Sequence, residues 1–328
     1  MNDSKHRTTA LYRSLADIPA QFGPSVAAIG NFDGVHLGHQ EILTAVTAEA
    51  RANGWQAVAV TFDPHPEKFL RPDVAPKLLT PPEEKLRLLA ATGVDAIVVL
   101  PFDVSFSNLR AREFVCRVLV DALGIKSVHE GRTFRFGRRA EAGVTELAKF
   151  GTEFGFEVHV HDAVKVHGFE VSSSAIRNLV ASGDMKRARW MLGRPFALRS
   201  TPARGRGIGT RLLVPTVNLA EYGELLPGFG VYVTRMTVGE RCFQAATNVG
   251  NRPTFGQASF AVESHILDFE PIDLIEETSL ELEFLLRLRP EIEWPSPDAL
   301  KAQIFKDVAR AKRYFHLSGA LGDKLSDN

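Results

Sequence analysis

The sequence predicts a two-domain α/β protein: a doubly wound parallel sheet in the first half, then an antiparallel β-barrel closed by a terminal helix. Three observations predict it. Apolar runs of strand length alternate with helical stretches through the first half, the pattern of a parallel sheet covered by helices. Gly93, Gly124 and Gly155 each stand where a helix gives way to a strand. From Phe196 to Arg289 the pattern changes to short strands separated by Gly, Pro and Asn at the spacing of a barrel.

In order, Val26-Ala27-Ala28-Ile29 reads as the first buried strand, and Glu41 to Val46 has helical spacing. Between them lies Gly30-Asn31-Phe32-Asp33-Gly34-Val35-His36-Leu37-Gly38-His39, a glycine-rich strand-to-helix turn of the kind that carries ligands in such sheets. Its glycines let backbone approach a ligand closely, and a helix start offers free N–H groups to an anion. His36 and His39, three apart, fit either zinc ligands on a helix turn or capping residues. A phosphate site explains glycines, helix start and histidines together, and no third zinc ligand is evident nearby.

Gln56 to Phe62 is a second strand, ended by the loop Asp63-Pro64-His65-Pro66, whose prolines cannot continue a ladder. A helix over Pro82–Leu89, a strand over Ala96–Phe102, a helix over Ala111–Leu123 and strands at Lys126–Val128 and Phe156–Val160 follow. The basic helix Met185–Leu192, ending at Gly193 ahead of Pro195, marks the change of pattern and sets domains at 1–186 and 187–328. Barrel strands are expected at Gly230–Thr234, Phe243–Val249, Val262–Leu267 and Leu280–Leu285, with a helix over Ser296–Phe315 capped at Ser296.

With 328 residues the chain accommodates two cores, and 39 basic against 39 acidic residues exclude binding of nucleic acid or anionic membrane by bulk charge. Cys116 and Cys242 form neither a disulfide framework nor a CxxC site. Without the apolar core of a signal peptide over Met1–Pro19, or a window resembling a membrane span, the expected location is the cytoplasm.

Several motifs in order resemble one family. Asn31 to His39 is similar to the HxGH signature of the nucleotidyltransferase superfamily, with its Rossmann-like fold. More narrowly, it resembles the FMN adenylyltransferase module of the bacterial bifunctional riboflavin kinase/FAD synthetases. Thr61 to Pro66, Phe134-Arg135-Phe136-Gly137, Ser172 to Arg177, Gly183-Asp184 and Leu192 to Phe196 agree with it. The resemblance implies that FMN attacks the α-phosphorus of ATP to give FAD and pyrophosphate, a reaction that needs positioning and charge stabilisation. It further implies that His36 and His39 act on the triphosphate, that Gly30, Asn31, Gly34, Gly38, Ser173, Ser174 and Arg177 bind nucleotide, and that Phe62, Asp63, Thr133 and Phe136 border the flavin. Mg²⁺ would neutralise the phosphates.

Later motifs resemble the riboflavin kinase domain of the same family: Pro215 to Leu219, Pro227 to Tyr232, Asn248 to Gly256 and Val262 to Asp268. The resemblance implies that Thr216 and Asn218 hold Mg²⁺ and ATP phosphates and that Glu263 is the general base for the riboflavin 5′-hydroxyl. Gly205 to Arg211, with Gly209, has the composition of a loop over ATP phosphates. Several positions depart from the family pattern: Thr133 where Asp or Asn is usual, Ala175 where Arg is usual, Leu213 where Gly followed by an aromatic is usual before Pro-Thr, and Asp273 to Glu276 where Asp-Leu-Tyr-Gly is usual. They leave open an adenylyltransferase with an inactive barrel, or a non-catalytic flavin binder. Riboflavin, FMN, FAD and ATP are the implied small-molecule partners.

Overall fold

A computed structural model describes residues 8–203, 216–254, 257–268 and 274–322. The chain divides into two compact units, residues 1–173 and 174–328.

The first unit begins with β1 (Ala10–Tyr12), β2 (Ser25–Ile29), α1 (Leu37–Asn53) and β3 (Gln56–Asp63), followed by a short α2 (Pro66–Leu70) and α3 (Pro82–Ala90). Then come β4 (Ala96–Pro101), α4 (Val104–Ser107) and α5 (Ala111–Phe114), which runs on as a π-helix over Val115–Ala122. β5 (Ile125–Gly131), the small hairpin β6 (Arg135–Phe136) and β7 (Ala142–Gly143), α6 (Val144–Phe154), β8 (Glu157–His161) and the hairpin β9 (Lys165–Val166) and β10 (Phe169–Glu170) complete it.

The main sheet has six strands in the order β1-β4-β3-β2-β5-β8, every pair parallel. Its strands sort their residues by parity. Ala27, Ile29, Val58, Val60, Val98 and Leu100 pack with Phe114, Val118 and Leu147, whereas Val26, Ala28, Ala57, Ala59, Ile97 and Val99 pack with Leu43, Val46 and Leu89. Successive strand residues point to opposite faces, so two separate apolar layers mean helices on both sides, which is the doubly wound arrangement expected. Gly93, Gly124 and Gly155 have φ of 82°, 55° and 79° and sit at the expected helix exits. One local expectation is refined. The loop after β3 coils at once into α2, because His65 accepts the Glu67 N–H as a cap and Pro66 has the φ a first turn needs.

Helices α7 (Ser173–Ser182) and α8 (Met185–Leu192) lead into β11 (Phe196–Ser200), β12 (Pro202–Ala203), β13 (Thr216–Leu219), β14 (Gly230–Val238), β15 (Arg241–Thr254), β16 (Gln257–Ile266), β17 (Leu280–Pro290) and the final α9 (Pro297–Gly322). The seven strands lie in the order β11-β17-β14-β15-β16-β13-β12, all antiparallel. β11 and β12 are separated only by Thr201 yet occupy opposite ends of that order. A flat sheet cannot place its two edges one residue apart, so the sheet curls round on itself, as the barrel expectation requires. Buried Tyr232, Met236, Leu198, Leu282 and Phe284 have strand parity opposite to Val231, Val233, Ala246 and Leu285, which pack with Ala311 and Tyr314 of α9. Ser296 caps α9 by accepting the Ala299 N–H.

Candidate active sites

The turn after β2 is a strained piece of backbone. Phe32, Gly34 and Val35 have φ of 49°, 85° and 37°, and for Phe and a β-branched Val that region is costly. Its neighbours hold it there. The buried Asp33 carboxylate accepts the N–H groups of Leu79 (2.9 Å) and Thr80 (3.1 Å), and the Gly34 N–H donates to Thr80 Oγ1 at 3.1 Å. Ser173 donates its hydroxyl to the Asp33 carbonyl at 2.9 Å, bringing the start of the serine motif to this turn. Ser174 and Arg177 follow Ser173 on α7. Asp33 thus serves as an anchor for the turn.

His36 is the N-cap of α1: its Nδ1 accepts the His39 N–H at 3.3 Å. That acceptor role places the proton of neutral His36 on Nε2. The two rings stack at 3.6 Å and 14°, with Phe32 edge-on to His39 at 5.2 Å. Burial, reinforced by the adjacent His36, holds the His39 pKa well below its ordinary value of 6.5. His39 is therefore a neutral imidazole at physiological pH, and its Nδ1 is buried with no hydrogen-bond partner. A Cβ at Gly38 would lie 3.3 Å from the His36 ring, so a side chain there would press on this stack. Capping and ligand binding are compatible uses of one residue here, because the cap engages only Nδ1.

At the end of β3, Asp63 and the nearby Asn31 are exposed, while Phe62 is half-buried. Phe62 meets Phe102 and Phe106 at 5.9 and 5.6 Å, and the aromatic chain continues through Phe114 to the buried Phe136 and then Phe134. Phe62 and Phe136, 74 residues apart, belong to one aromatic cluster, with Thr133 exposed on the adjoining turn. Ala175 lies half-buried on α7.

Two buried ionisable groups here escaped the sequence reading. Lys85 donates from Nζ to Thr61 Oγ1 (3.0 Å) and to the Phe62 carbonyl (3.1 Å). Burial lowers its pKa, opposed by Asp63 and Asp33. The signal available was its place four residues before Leu89 on the buried stripe of α3, where a lysine is out of pattern. Glu130 is buried on β5 and accepts the Ile29 N–H at 2.7 Å, and burial drives its pKa well above 4.5. It lies beside the start of the turn. Nothing in the local sequence distinguishes it from a strand glutamate facing water.

In the second unit the candidate residues sit on regular strands. Asn218 of β13 is the register partner of Glu263 of β16, which is in turn the partner of Asn248 of β15. Register partners share a face, so Asn218, Glu263 and Asn248 form one polar row across three strands. Thr216, two residues before Asn218, lies on the same face. The opposite face of these strands carries a hydroxyl ladder, with Thr247 Oγ1 2.6 Å from Thr234 Oγ1 and 2.8 Å from Ser264 Oγ, all three buried. Asn248 was legible only as part of a motif, and its alignment with Glu263 is a product of register. Gly209, its loop over 205–211 and Leu213 lie outside the described residues.

Among the described residues, no helix is long and apolar enough to cross a membrane. Residues 18–175 match the family described as FAD synthetase and residues 192–315 the family described as riboflavin kinase. A bifunctional riboflavin kinase/FMN adenylyltransferase of Pseudomonas fluorescens is 36% identical over 92% of this chain and 96% of its own length. The protein of that name from Escherichia coli K12 is 34% identical over 89% of this chain and 93% of its own. A solved structure titled as a macrolide-efflux protein from Streptococcus pneumoniae superposes with a TM-score of 0.83 at 28% identity, covering 93% of this chain and 99% of that one.

Proposed function

We propose a division of labour between two parts of the chain that starts from one premise: the chain belongs to the family of bifunctional riboflavin kinase/FMN adenylyltransferases. It phosphorylates riboflavin to FMN and adenylylates FMN to FAD, with ATP as co-substrate in both reactions. In our reading residues 1–186 carry adenylyl transfer and residues 187–328 carry the kinase, in the cytoplasm.

In adenylyl transfer an FMN phosphate oxygen bonds to the α-phosphorus of ATP while the bond from that phosphorus to the bridging oxygen of the β-phosphate breaks, releasing pyrophosphate. Charge builds on the oxygens around the α-phosphorus and on the leaving group. His36 offers Nε2–H to that charge, and the orphaned, buried Nδ1 of His39 fits a proton shared with the substrate. Neutral imidazoles cost less to bury than charged ones and need no proton release to donate. Gly30, Asn31, Gly34 and Gly38 line the nucleotide, with the N-terminus of α1 adding its dipole, and Ser173, Ser174 and Arg177 take the pyrophosphate end. Phe62 and Phe136 offer aromatic surface to the isoalloxazine, with Asp63 and Thr133 at its polar edge.

In the kinase reaction Glu263 removes the proton of the riboflavin 5′-hydroxyl as its oxygen bonds to the γ-phosphorus, and ADP leaves. Short oxygen side chains suit a hard cation, so Thr216 and Asn218 fit Mg²⁺, which would neutralise phosphate charge when bound. By the same resemblance Gly209 would bind those phosphates.

The observation that carries this reading is that each unit has its own candidate group: a stacked histidine pair at a sheet end, and a carboxylate in a polar strand row. The test is to incubate the protein with ATP and Mg²⁺ plus riboflavin or FMN and to resolve the flavins by chromatography, for the unaltered chain, His36→Ala and Glu263→Gln. Loss of FAD formation from FMN but not of FMN formation from riboflavin is expected in the first variant, and loss of FMN formation from riboflavin but not of FAD formation from FMN in the second. Loss of both reactions, each assayed from its own flavin, in either variant would sink the division.

A further inference from the structure

Glu49 lies on α1, ten residues beyond His39, which at 1.5 Å per residue is about 15 Å from the adenylyl-transfer turn. It covers the part of the sheet formed by β5 and β8. His129 and His159 are register partners in those parallel strands, and residues two apart share a face. Ser127, His129, His159 and His161 therefore all turn toward α1. His129 Nε2 is 2.6 Å from Glu49 Oε2, and His159 Nε2 is 3.6 Å from the same oxygen. His129 Nδ1 lies 3.0 Å from His161 Nε2, and the Ser127 hydroxyl donates to Glu49 Oε2 at 3.3 Å. The reactions assigned above use none of these groups.

We propose that Glu49, His129 and His159 form a binding site for a borderline divalent transition-metal cation such as zinc. One ligand atom from each lies within 4.8 Å of the other two, and among the described residues this is the one such group of three. Tetrahedral zinc with bonds near 2.0–2.1 Å needs ligand atoms about 3.3 Å apart, so the site closes on a metal through small rotations of side chains. Two imidazoles and one carboxylate select zinc-like ions over Mg²⁺, which prefers oxygen ligands and retained water.

The surrounding contacts match what such a site requires. A metal would displace the proton that His129 Nε2 shares with Glu49, and a proton on His129 Nδ1, donated to His161 Nε2, would then hold the ring with its Nε2 lone pair toward the ion, while the Ser127 hydroxyl orients the carboxylate. His129 is buried, whereas the His159 side chain is 43% exposed, so the fourth position opens to solvent or to the exposed Glu157, 3.5 Å from His159 Nε2. Three protein ligands from three elements would pin α1 to β5 and β8.

The full-length protein, stripped with chelator and then freed of it, is titrated with cobalt(II) chloride and followed by the visible absorption of a bound, low-coordinate ion. Zinc chloride is then added in competition. One ion per chain is expected, displaced by zinc, with a rise in Tm on zinc addition. Glu49→Gln and His159→Ala should each weaken binding at least tenfold and abolish the Tm shift, and His161→Ala should weaken it about 10–100-fold as an orienting partner. His36→Ala should bind as the unaltered chain does. His159→Ala, at a half-exposed position, keeps the test valid if a change at buried His129 prevents folding. Absence of binding in the unaltered protein, or binding that survives both Glu49→Gln and His159→Ala, would overturn the proposal.

Discussion

The two candidate sites are held in opposite ways. In the first unit the proposed reacting groups stand on a ten-residue turn whose backbone leaves the ordinary regions at Phe32 and Val35 and is kept there by buried hydrogen bonds from Leu79 and Thr80 to Asp33. In the second unit Asn218, Glu263 and Asn248 stand on unstrained strands and meet only because the ladder aligns them. A strained turn can bring backbone N–H groups, two rings and a helix end to one point, which suits a polyphosphate. A strand row fixes side-chain spacing at low cost, which suits one base beside one cation. The turn depends on contacts distant in sequence, whereas the row depends on register.

The largest effect that would test this contrast is at Glu263. Glu263→Gln keeps the strand and removes the base, so FMN formation should fall by about 10²–10⁴-fold while FAD formation from FMN is unchanged, measured by initial rates with each flavin. His36→Ala should mirror it, lowering FAD formation by about 10²–10³-fold. Loss of the cap should also cost about 0.5–2 kcal/mol of stability in the first unit, which Glu263→Gln should not do in the second. Equal destabilisation by the two changes would erase the distinction between turn and row.

A smaller effect isolates the anchor. Asp33→Ala removes no proposed reacting group but strands the Leu79 and Thr80 N–H groups, at about 1–3 kcal/mol for each unsatisfied donor. Denaturant unfolding should report the loss, and FAD formation should fall while riboflavin phosphorylation stays level. The mildest change is at Glu130. Its folded-state pKa is raised, so the stability it allows is complete below about pH 4.5 and is lost as pH rises toward the folded pKa. Glu130→Gln removes that dependence, and its unfolding free energy should gain on the unaltered chain as pH rises above 4.5. Parallel pH curves for the two proteins would show that burial does not raise the Glu130 pKa.

Legibility followed the same divide. The turn was readable because its glycines, histidines and Asp33 are contiguous, and strand–helix alternation made the first fold plain. Lys85 and Glu130 were not readable, since a lysine on a helix and a glutamate on a strand reveal their burial only when other segments cover them. The aromatic cluster joining Phe62 to Phe136 was likewise visible only as separate residues.

By itself the sequence determined two units, the class of each and the turn at residues 30–39, and by resemblance it offered candidate residues for two ATP-dependent transfers, because periodicity and local motifs are properties of neighbouring residues. Tertiary structure decided what depends on distant ones. It set the neutrality of His39 and the raised pKa of Glu130 through burial, the capping role of His36, and the alignment of Asn218 with Glu263 through register. It also laid Glu49 over three histidines that the sequence leaves on two separate strands.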